Sequence, residues 1–331
     1  MPNFEDIRHF VSCSFFGNNT LPNPRPSLTG KTIIVTGANV GLGFEAAKHL
    51  AAFHVSTLIL ACRDLTKGER AATTIRASNP STNIQVWPVD LADFSSVTSF
   101  CARVQSDLPR LDGIVLNAGV EMSQYEAVEG LERTLTVNVV GTMMMALKVL
   151  PKLQESARTY KVDTNLTIIG SLIHVFGPDG QMNVDGRVFE ALSDAKTADM
   201  PQRYNLSKLI LHLCFNELVA TTKDGKGEGK PGVVMNLVNP GWCASELSRH
   251  RHRPMYERFL FKFMGRTTEE GSRSLVHGVV AGRETHGCYL SECVVKPQSS
   301  FVRSAKGKVM QKRLWKELTD CIGNNIPESK L

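Results

Sequence analysis

A tyrosine and a lysine four positions apart are the residues of this chain with the clearest chemical potential. Tyr204 and Lys208 stand in the run YNLSK, and on a helix such side chains share one face, about one turn apart. A free phenol has a pKa of about 10, and a nearby positive charge lowers such a pKa by roughly 1–3 units. The pair is therefore a candidate proton donor and acceptor, although the same spacing also occurs by chance in many helices.

A glycine-rich turn forms a second chemically suggestive stretch. Residues 31–36 are apolar and β-branched, as in a buried strand, and a helical pattern follows to about Phe53. Between them stand Gly37, Gly41 and Gly43, spaced G-x-x-x-G-x-G. Glycines let the backbone approach a pyrophosphate, and a helix N-terminus offers N–H groups and positive potential. Strand, turn and helix in this order predict a dinucleotide-binding opening.

The end of the second apolar run, residues 57–61, bears on the choice of dinucleotide. Arg63 follows Gly43 by twenty positions, which is where a dinucleotide fold contacts the adenine ribose. An arginine suits a 2′-phosphate through bidentate pairing, and Lys67 could add charge. Asp64 is the counter-argument, because a carboxylate could instead hold a free 2′-hydroxyl. The charge pattern favours NADP(H) over NAD(H).

The remaining chain alternates strand and helix patterns. Further strands are predicted at residues 83–88, 111–116, 164–169, 233–238 and 288–290. Helices are predicted at about 94–107, 126–154 and 307–319, and another helix contains Tyr204 and Lys208 and runs to about Thr222. This alternation predicts an α/β fold, a Rossmann-like doubly wound parallel sheet with helices on both faces. Ligands bind such sheets beyond the carboxyl ends of the strands. Several polar or small residues fall at those ends, namely Gly37, Arg63, Asp90, Asn117, Ser171 and Pro240.

Composition indicates a globular protein and argues against several other classes. The chain has 331 residues, 42% hydrophobic and 21% charged, with a net charge of +6, so neither a nucleic-acid groove nor a disordered chain is indicated. Eight scattered cysteines lack zinc-ligand spacing, which predicts reduced thiols, no metal and a cytoplasmic location. No membrane span is expected. Residues 1–29 are predicted to form an extended, proline-rich leader and residues 30–331 a single catalytic domain.

Taken together, these motifs resemble the short-chain dehydrogenase/reductase family. The matching pieces occur in the family's order between about residues 31 and 290: TGANVGLG, VDL at 89–91, NAG at 117–119, VNVVG containing Asn138, GS at 170–171, YNLSK, and NPG at 239–241. The segments ACRDLTKG and TTEEGSRS look like the retinol-dehydrogenase-like branch. The segments FEALSD, RYNLSKLI and RLWKEL are similar to fungal members that act on polyketides and related secondary metabolites.

The resemblance implies a catalytic tetrad of Asn138, Ser171, Tyr204 and Lys208. Tyr204 would exchange the proton of the substrate oxygen, Ser171 would orient that oxygen, and Lys208 would lower the pKa of Tyr204 and bind the nicotinamide ribose. Asn138 would hold a water that relays protons from Lys208. The cofactor-binding set that the resemblance and the motifs imply is Gly37, Asn39, Gly41, Leu42, Gly43, Arg63, Lys67, Asp90, Leu91, Asn117, Ala118, Gly119, Tyr204, Lys208, Pro240 and Gly241.

Two segments are expected to shape the substrate end. Ser171 and Tyr204 are 33 positions apart, a longer interval than in many family members, so residues 172–203 form an insertion expected to contribute to the pocket wall or else to be a surface elaboration. Residues 242–266 are expected to form a lid over a small, apolar carbonyl or alcohol. Two alternative functions remain open: a dehydrogenase of a retinoid- or steroid-like alcohol, and a non-catalytic NADP-sensing regulator. A homodimer is possible.

Overall fold

Short apolar runs rich in β-branched residues form the strands, as predicted. The computed structural model describes residues 3–15, 26–222, 231–243, 247 and 265–323. The strands within these ranges are β1 (Thr32–Thr36), β2 (Thr57–Cys62), β3 (Asn83–Pro88), β4 (Gly113–Leu116), β5 (Ala127–Val128), β6 (Leu131–Glu132), β7 (Thr164–Ile169), β8 (Val233–Asn239), β9 (Cys288–Ser291) and β10 (Val294–Lys296). Eight of them form one sheet in the order β10-β9-β8-β7-β4-β1-β2-β3.

Neighbouring strands of this sheet run parallel, except that β10 is antiparallel to β9. The central strand β1 sets the register, with Ile34 opposite Ile59 of β2 and Ile114 of β4. Strand order reverses direction between β1 and β4, which is the point where ligands bind such sheets. The carboxyl ends of the parallel strands therefore converge on one edge.

Helices cover both faces of the sheet. They are α1 (Phe4–Phe15), α2 (Gly41–Ala52), α3 (Leu65–Ser78), α4 (Phe94–Asp107), α5 (Arg133–Tyr160), α6 (Val188–Leu192), α7 (Met200–Thr221), α8 (Thr268–Val280), α9 (Ser300–Arg303) and α10 (Ala305–Ile322). Alternate residues of one strand enter opposite cores: Ile34 packs with the layer of α4, α5 and α7, whereas Val35 packs with the layer of α2, α3 and α8. The prediction of a doubly wound α/β fold is confirmed.

The prediction of an extended N-terminal leader is wrong for Phe4–Phe15, which form α1. The proline constraint applies only to the later part of the leader, because Pro22, Pro24 and Pro26 all follow this helix. Glu5 and Asp6 lie in the first turn, where the helix dipole favours negative charge. The chain from 16 to 25 lies outside the described residues.

A helix beginning at Glu126 is also wrong. Residues 127–132 form the hairpin β5–β6, and its turn places Glu129 at φ 51° and Gly130 at φ 75°, a conformation that breaks a right-handed helix. The helix α5 begins at Arg133, where the carboxylate of Glu132 accepts hydrogen bonds from the N–H groups of Thr134 and Leu135. The predicted lid at 242–266 lies almost wholly outside the described residues.

Within the described residues, α5 is the one helix long and apolar enough to cross a membrane by length and composition. It is 83% buried inside the fold over its most apolar window and packs on β4, β7 and β8 as well as on α4 and α7. Such burial is typical of a core helix. Its apolar character is explained by the sheet that it covers.

Candidate active site

A cavity of about 750 Å³ opens where the parallel strands end. Each of the parallel strands β1, β2, β3, β4, β7 and β8 contributes to the lining through its last residues or the residues that follow it. Of the predicted cofactor residues, all but Gly43 line this cavity: Gly37, Asn39, Gly41, Leu42, Arg63, Lys67, Asp90, Leu91, Asn117, Ala118, Gly119, Tyr204, Lys208, Pro240 and Gly241. Of the predicted tetrad, Ser171, Tyr204 and Lys208 line it and Asn138 does not.

The glycine turn is shaped to present backbone N–H groups to the cavity. Gly37 and Gly41 have φ values of +64° and +60°, in the left-handed region that side chains disfavour. Val40, the residue that precedes α2, makes no side-chain hydrogen bond to the first turn of the helix. The first N–H groups of α2 therefore receive no side-chain cap from that residue, as suits an anion site at a helix N-terminus.

Gly43 does not line the cavity and instead allows α2 to pack closely against the glycine turn. A methyl group at this position would lie 2.5 Å from the carbonyl oxygen of Gly37 and 2.6 Å from Asn117 Nδ2, closer than side-chain carbons approach such atoms. The missing side chain lets α2 press against the turn and against the end of β4. The cofactor contact that the resemblance implied for Gly43 stays a prediction.

A threonine that sequence reasoning missed ties the turn to β4. Thr36 Oγ1 accepts hydrogen bonds from the N–H groups of Asn117 (2.9 Å) and Ala118 (3.0 Å). The side chain of Asn117 donates in return to the carbonyl of Thr36 at 2.9 Å. The NAG motif therefore contributes first to the shape of the turn. The available signals were its place at the start of the TGANVGLG motif and at the last position of a buried strand.

Three charged residues, Arg63, Asp64 and Lys67, line the end of the cavity where the adenine ribose is expected. The carboxylate of Asp64 accepts a hydrogen bond from the backbone N–H of Lys67 at 3.0 Å and lies 3.6 Å from Lys67 Nζ, so it caps α3. The N–H bond from Lys67 is the main cause that lowers the pKa of Asp64. Arg63 lines the same end of the cavity, lies 3.9 Å from Asp90 and remains 55% exposed.

Lys208 is held inside the protein by the last residue of β7. Its Nζ donates to the carbonyl of Ile169 at 2.7 Å and lies 5.7 Å from the centroid of the Tyr204 ring. Burial lowers the pKa of Lys208 to about 8, because the charged form loses hydration. The two side chains of the YNLSK motif therefore face the same space, as their helical spacing predicts.

The expectation that Lys208 lowers the pKa of Tyr204 stays a prediction, because burial dominates the pKa of this phenol in the protein alone. Burial raises the pKa of Tyr204 well above its ordinary value, and the charge of Glu121 raises it further. The physical reason is that a buried phenolate loses its hydration, whereas the Lys208 ammonium donates its hydrogen bond to the carbonyl of Ile169. Tyr204 therefore keeps its proton at neutral pH.

Ser171 stands two residues after the end of β7 and immediately precedes a short 3₁₀ helix, Leu172–Phe176. Its carbonyl accepts a hydrogen bond from His174 Nδ1 at 2.7 Å, and His174 Nε2 accepts one from the N–H of Ser299 at 2.9 Å. These two contacts fix the neutral tautomer that carries its proton on Nδ1. His174 is buried and absent from the cavity lining, so it holds the backbone of Ser171 rather than acting on substrate.

Asn138 lies in a π-helical stretch of α5, Thr136–Gly141, behind the cavity wall. Its Oδ1 accepts from the N–H of Val120, and its Nδ2 donates to the carbonyl of Val120 and to Ser207 Oγ. The side chain thus fastens the residue after the NAG motif to the helix that carries Tyr204. The predicted role of Asn138 in holding a water stays a prediction.

The insertion contributes less to the cavity than its length suggests. Leu172 and Ile173 line the cavity, whereas Phe189 is buried beside α10, where Glu317 accepts hydrogen bonds from the N–H groups of Val188 and Phe189. Most of the described insertion is therefore a packing element that joins α7 to α10.

Several lining residues had no motif to reveal them. Arg266 packs beneath the left-handed turn at Gly241 and pairs with Glu292 at 2.6 Å. Phe10 and Cys13 reach the cavity from α1, a segment expected to be a leader. These residues come from opposite ends of the chain, and no local pattern connects them.

The residues present fit a nicotinamide dinucleotide. The turn offers left-handed glycines and an N-terminal helix end, Arg63 and Lys67 supply positive charge at one end, and Tyr204 with Lys208 stands at the other. No group of three or more metal-binding side chains that could hold an ion occurs in the part of the chain that the structure describes. All eight cysteines are free thiols. Fold and site define an oxidoreductase that uses a nicotinamide dinucleotide.

Comparison with known proteins identifies the family. The model of the short chain dehydrogenase family matches residues 31–163. The short chain dehydrogenase/reductase dmxR8 of Cryptosporiopsis sp. is 39% identical over 305 residues, which cover 90% of this chain and 92% of that protein. The short chain dehydrogenase atnD of Emericella nidulans is 38% identical over 294 residues, covering 86% of this chain and 90% of that protein. The chain belongs to the short-chain dehydrogenase/reductase family.

Solved structures agree on the fold. A short chain dehydrogenase from Shigella flexneri complexed with NADP has a TM-score of 0.57 at 20% identity and covers 81% of this chain and 99% of its own. The predicted resemblance to fungal reductases is confirmed by the relatives. The resemblance of two segments to the retinol-dehydrogenase-like branch stays a prediction.

Proposed function

We propose that this protein uses NADPH to reduce a ketone or aldehyde group of a small, largely apolar molecule in secondary metabolism. The observation that carries this proposal is that Ser171, Tyr204 and Lys208 line the same cavity that the glycine turn opens. Apolar side chains of Val120, Ile173 and other residues border the catalytic end of that cavity. The fungal relatives support a secondary-metabolite substrate.

Tyr204 is protonated at neutral pH, as a proton donor in the reductive direction must be. Burial and the charge of Glu121 raise the pKa of Tyr204, so the residue meets a carbonyl oxygen as a proton donor. Bound NADPH supplies the hydride that adds to the carbonyl carbon. Tyr204 gives its proton to the oxygen as the carbon–oxygen double bond becomes a single bond, and the phenolate then regains a proton from solvent.

Ser171 and Lys208 prepare that step. Ser171 lies just beyond the end of β7, and His174 holds its backbone, so its hydroxyl can donate a hydrogen bond to the same carbonyl oxygen. Lys208 places an ammonium beside the ring of Tyr204, where it stabilises the transient phenolate once the proton has left. Asn138 supports the arrangement by fastening Val120 and Ser207.

The charged end of the cavity supports NADPH over NADH. Asp64 was the residue that argued for a free 2′-hydroxyl, but its carboxylate caps α3 and pairs with Lys67. Arg63 is left with only a distant carboxylate, Asp90, at 3.9 Å. A guanidinium that is weakly paired and near the ribose position suits a 2′-phosphate.

The decisive test replaces the proton donor. Tyr204→Phe should lower kcat at least about a hundredfold, the usual contribution of a positioned acid, because Phe keeps the shape of the ring and removes only the hydroxyl. The measurement is NADPH oxidation with a panel of aliphatic and bicyclic ketones, together with NADPH binding by fluorescence titration. Binding should change by less than about twofold, since the phenol contributes chiefly to the chemical step.

Tyr160→Phe is the matched control, because Tyr160 is 40% exposed and absent from the cavity lining. This variant should retain full turnover. If the wild-type protein binds NADPH but reduces no ketone or aldehyde of the panel, the enzyme proposal fails and a sensing role is favoured. Undiminished turnover in Tyr204→Phe would refute the role given to the phenol.

A further inference from the structure

The N-terminal helix α1 turns one face toward the body of the protein. Asp6, Phe10 and Cys13 are spaced four and three positions apart, so they share that face. Phe10 and Cys13 line the cavity, and Asp6 is only 5% exposed. The opposite face carries Ile7 and Val11, which are 45% and 38% exposed. The helix therefore has a defined inner side, which ends at the active site.

Specific polar contacts fix the rotation and position of α1. The buried carboxylate of Asp6 accepts hydrogen bonds from both the N–H and the hydroxyl of Ser300. Glu5 pairs with Arg303 at 2.9 Å. Ser300 and Arg303 are the first and last residues of α9, so the first turn of α1 is attached to a single short helix near the C-terminus. A helix held only by apolar contact would have no such fixed register.

The inner face continues into the substrate end of the cavity. The ring of Phe10 meets the ring of Phe176 edge-on, with centroids 4.8 Å apart, and Phe176 ends the 3₁₀ helix that follows Ser171. On the other side, Cys13 lies close enough to Glu292 for that charge to contribute to the raised pKa of the thiol, after burial. Arg63 and Lys67 mark the opposite, adenine end.

We propose that α1 is the outer wall of the substrate site and that Phe10 is a specificity-determining residue. This inference rests on the proposed ketone reduction. The ring of Phe10 offers an apolar surface to the cavity that also holds the catalytic groups, and its edge-on contact with Phe176 supports the ring there. Substrates with a second ring or an equivalent apolar extension would contact Phe10, whereas a single small ring would not reach it.

The first experiment compares two substitutions on neighbouring positions of α1. Phe10→Ala removes the wall, and Val11→Ala, its control, changes the outer face of the same helix. Phe10→Ala should lower kcat/KM for 1-tetralone about tenfold, mainly through KM, the usual worth of apolar contacts in a pocket. For cyclohexanone the change should stay below about twofold. Val11→Ala should leave both values unchanged.

Phe10→Leu distinguishes the loss of the apolar contact with substrate from a displacement of the whole helix α1. Leucine keeps an apolar side chain at this position, so it should recover part of the activity on 1-tetralone while thermal unfolding stays at the wild-type temperature. Identical substrate profiles for Phe10→Ala and Val11→Ala would refute the proposal that Phe10 determines specificity. A wild-type protein that reduces no ketone would instead overturn the proposed function.

A second measurement tests, without relying on turnover, whether α1 borders the substrate site. Labelling by N-ethylmaleimide is followed at each cysteine by peptide mass spectrometry, with NADP and with or without saturating 1-tetralone. Cys13 should be labelled at least about fivefold more slowly with the ketone present. Cys288 is the matched control, since it is also partly exposed with a pKa raised by burial but does not line the cavity. Equal labelling rates of Cys13 in both conditions would reject the wall.

Discussion

The two ends of the cavity are built in different ways. The cofactor end is held by backbone atoms, small residues and short-range hydrogen bonds, such as those from Thr36 to Asn117 and Ala118. The substrate end is held by side chains from segments far apart in sequence, such as Asp6 with Ser300 and Phe10 with Phe176. A backbone-built site needs glycine at fixed positions, whereas a side-chain-built site can use many residue combinations.

This difference has a consequence for how each end tolerates substitution. A new methyl group at the cofactor end meets backbone that cannot move away, whereas a lost contact at the substrate end leaves a cavity or an unpaired charge. The cofactor end should therefore be sensitive to added volume and the substrate end to removed groups. Four substitutions test this contrast, from the largest expected effect to the smallest.

Glu132→Ala removes a charge from the scaffold of the substrate end and should have the largest effect. Arg203 and Glu132 are both buried, with Arg203 Nε 3.6 Å from Glu132 Oε2, and Arg203 also donates to the carbonyl of Leu192 in the insertion. The variant deprives the buried guanidinium of the carboxylate that acts on it most strongly and removes the cap of α5. It should lower the free energy of unfolding by about 3–5 kcal/mol, measured by urea denaturation.

Glu132→Gln is the matched variant. Its amide oxygen can still accept from Thr134, so it isolates the charge from the helix cap and should cost less than the alanine variant. A loss below about 1 kcal/mol in Glu132→Ala, the usual value for an exposed ion pair, would contradict the claim that side-chain contacts anchor the substrate end.

Gly43→Ala adds volume to the cofactor end. The new methyl group would lie 2.5 Å from the carbonyl oxygen of Gly37, so backbone must shift at a cost of about 1–3 kcal/mol. We expect weaker NADPH binding together with lower stability. Gly180→Ala is the matched control in the insertion, because nothing lies within 4 Å of a methyl group there, and its stability should stay within about 0.5 kcal/mol of wild type. Equal stability and equal NADPH binding in the two alanine variants would contradict the claim that the cofactor end is sensitive to added volume.

Lys208 stands where the two ends meet, and its burial makes a pH-dependent prediction. Because burial lowers its pKa from 10.5 to about 8, the folded state binds fewer protons than the unfolded state between these values. Stability from this group therefore rises as the pH increases through that window. Relative to Lys208→Met, the wild-type protein should gain about 2 kcal/mol between pH 8 and pH 10.

The comparison with Lys208→Met is necessary because other groups act in the opposite direction. Burial raises the pKa of Cys62 to about 11 and that of Cys101 to about 12, so those thiols make the protein less stable as the pH rises above 9. Their contributions are common to both proteins and cancel in the difference. A difference that stays flat from pH 8 to pH 10 would show that Lys208 is not dehydrated in the folded protein.

The same contrast explains what the sequence could predict. The alternating apolar runs specified the parallel sheet, and the glycine turn, NAG and YNLSK motifs located residues that line one cavity, since each depends on local geometry. Phe10, Glu292 and Arg266 were missed because their proximity is created only by the tertiary fold. The raised pKa of Tyr204 was missed for a related reason: burial and Glu121 act through space, whereas the motif shows only Lys208.

Arg63 is the exception that sharpens the comparison, because it is a cofactor-end residue that would act through a side chain. Arg63→Asp should lower the ratio of kcat/KM for NADPH over NADH by about tenfold, which corresponds to about 1.4 kcal/mol. The effect is the smallest of the four because the guanidinium is 55% exposed, so solvent screens its charge. The measurement is NADPH and NADH oxidation with one ketone, with dissociation constants from fluorescence.

Lys67→Ala is the variant to compare with Arg63→Asp, since Lys67 Nζ forms an ion pair with Asp64 at 3.6 Å. It should change the cofactor ratio less than Arg63→Asp does. An unchanged ratio in Arg63→Asp combined with a large change in Lys67→Ala would move the phosphate contact from the strand end to α3. The cofactor end would then discriminate through a helix side chain, and the division between a backbone-built end and a side-chain-built end would hold only for the pyrophosphate turn.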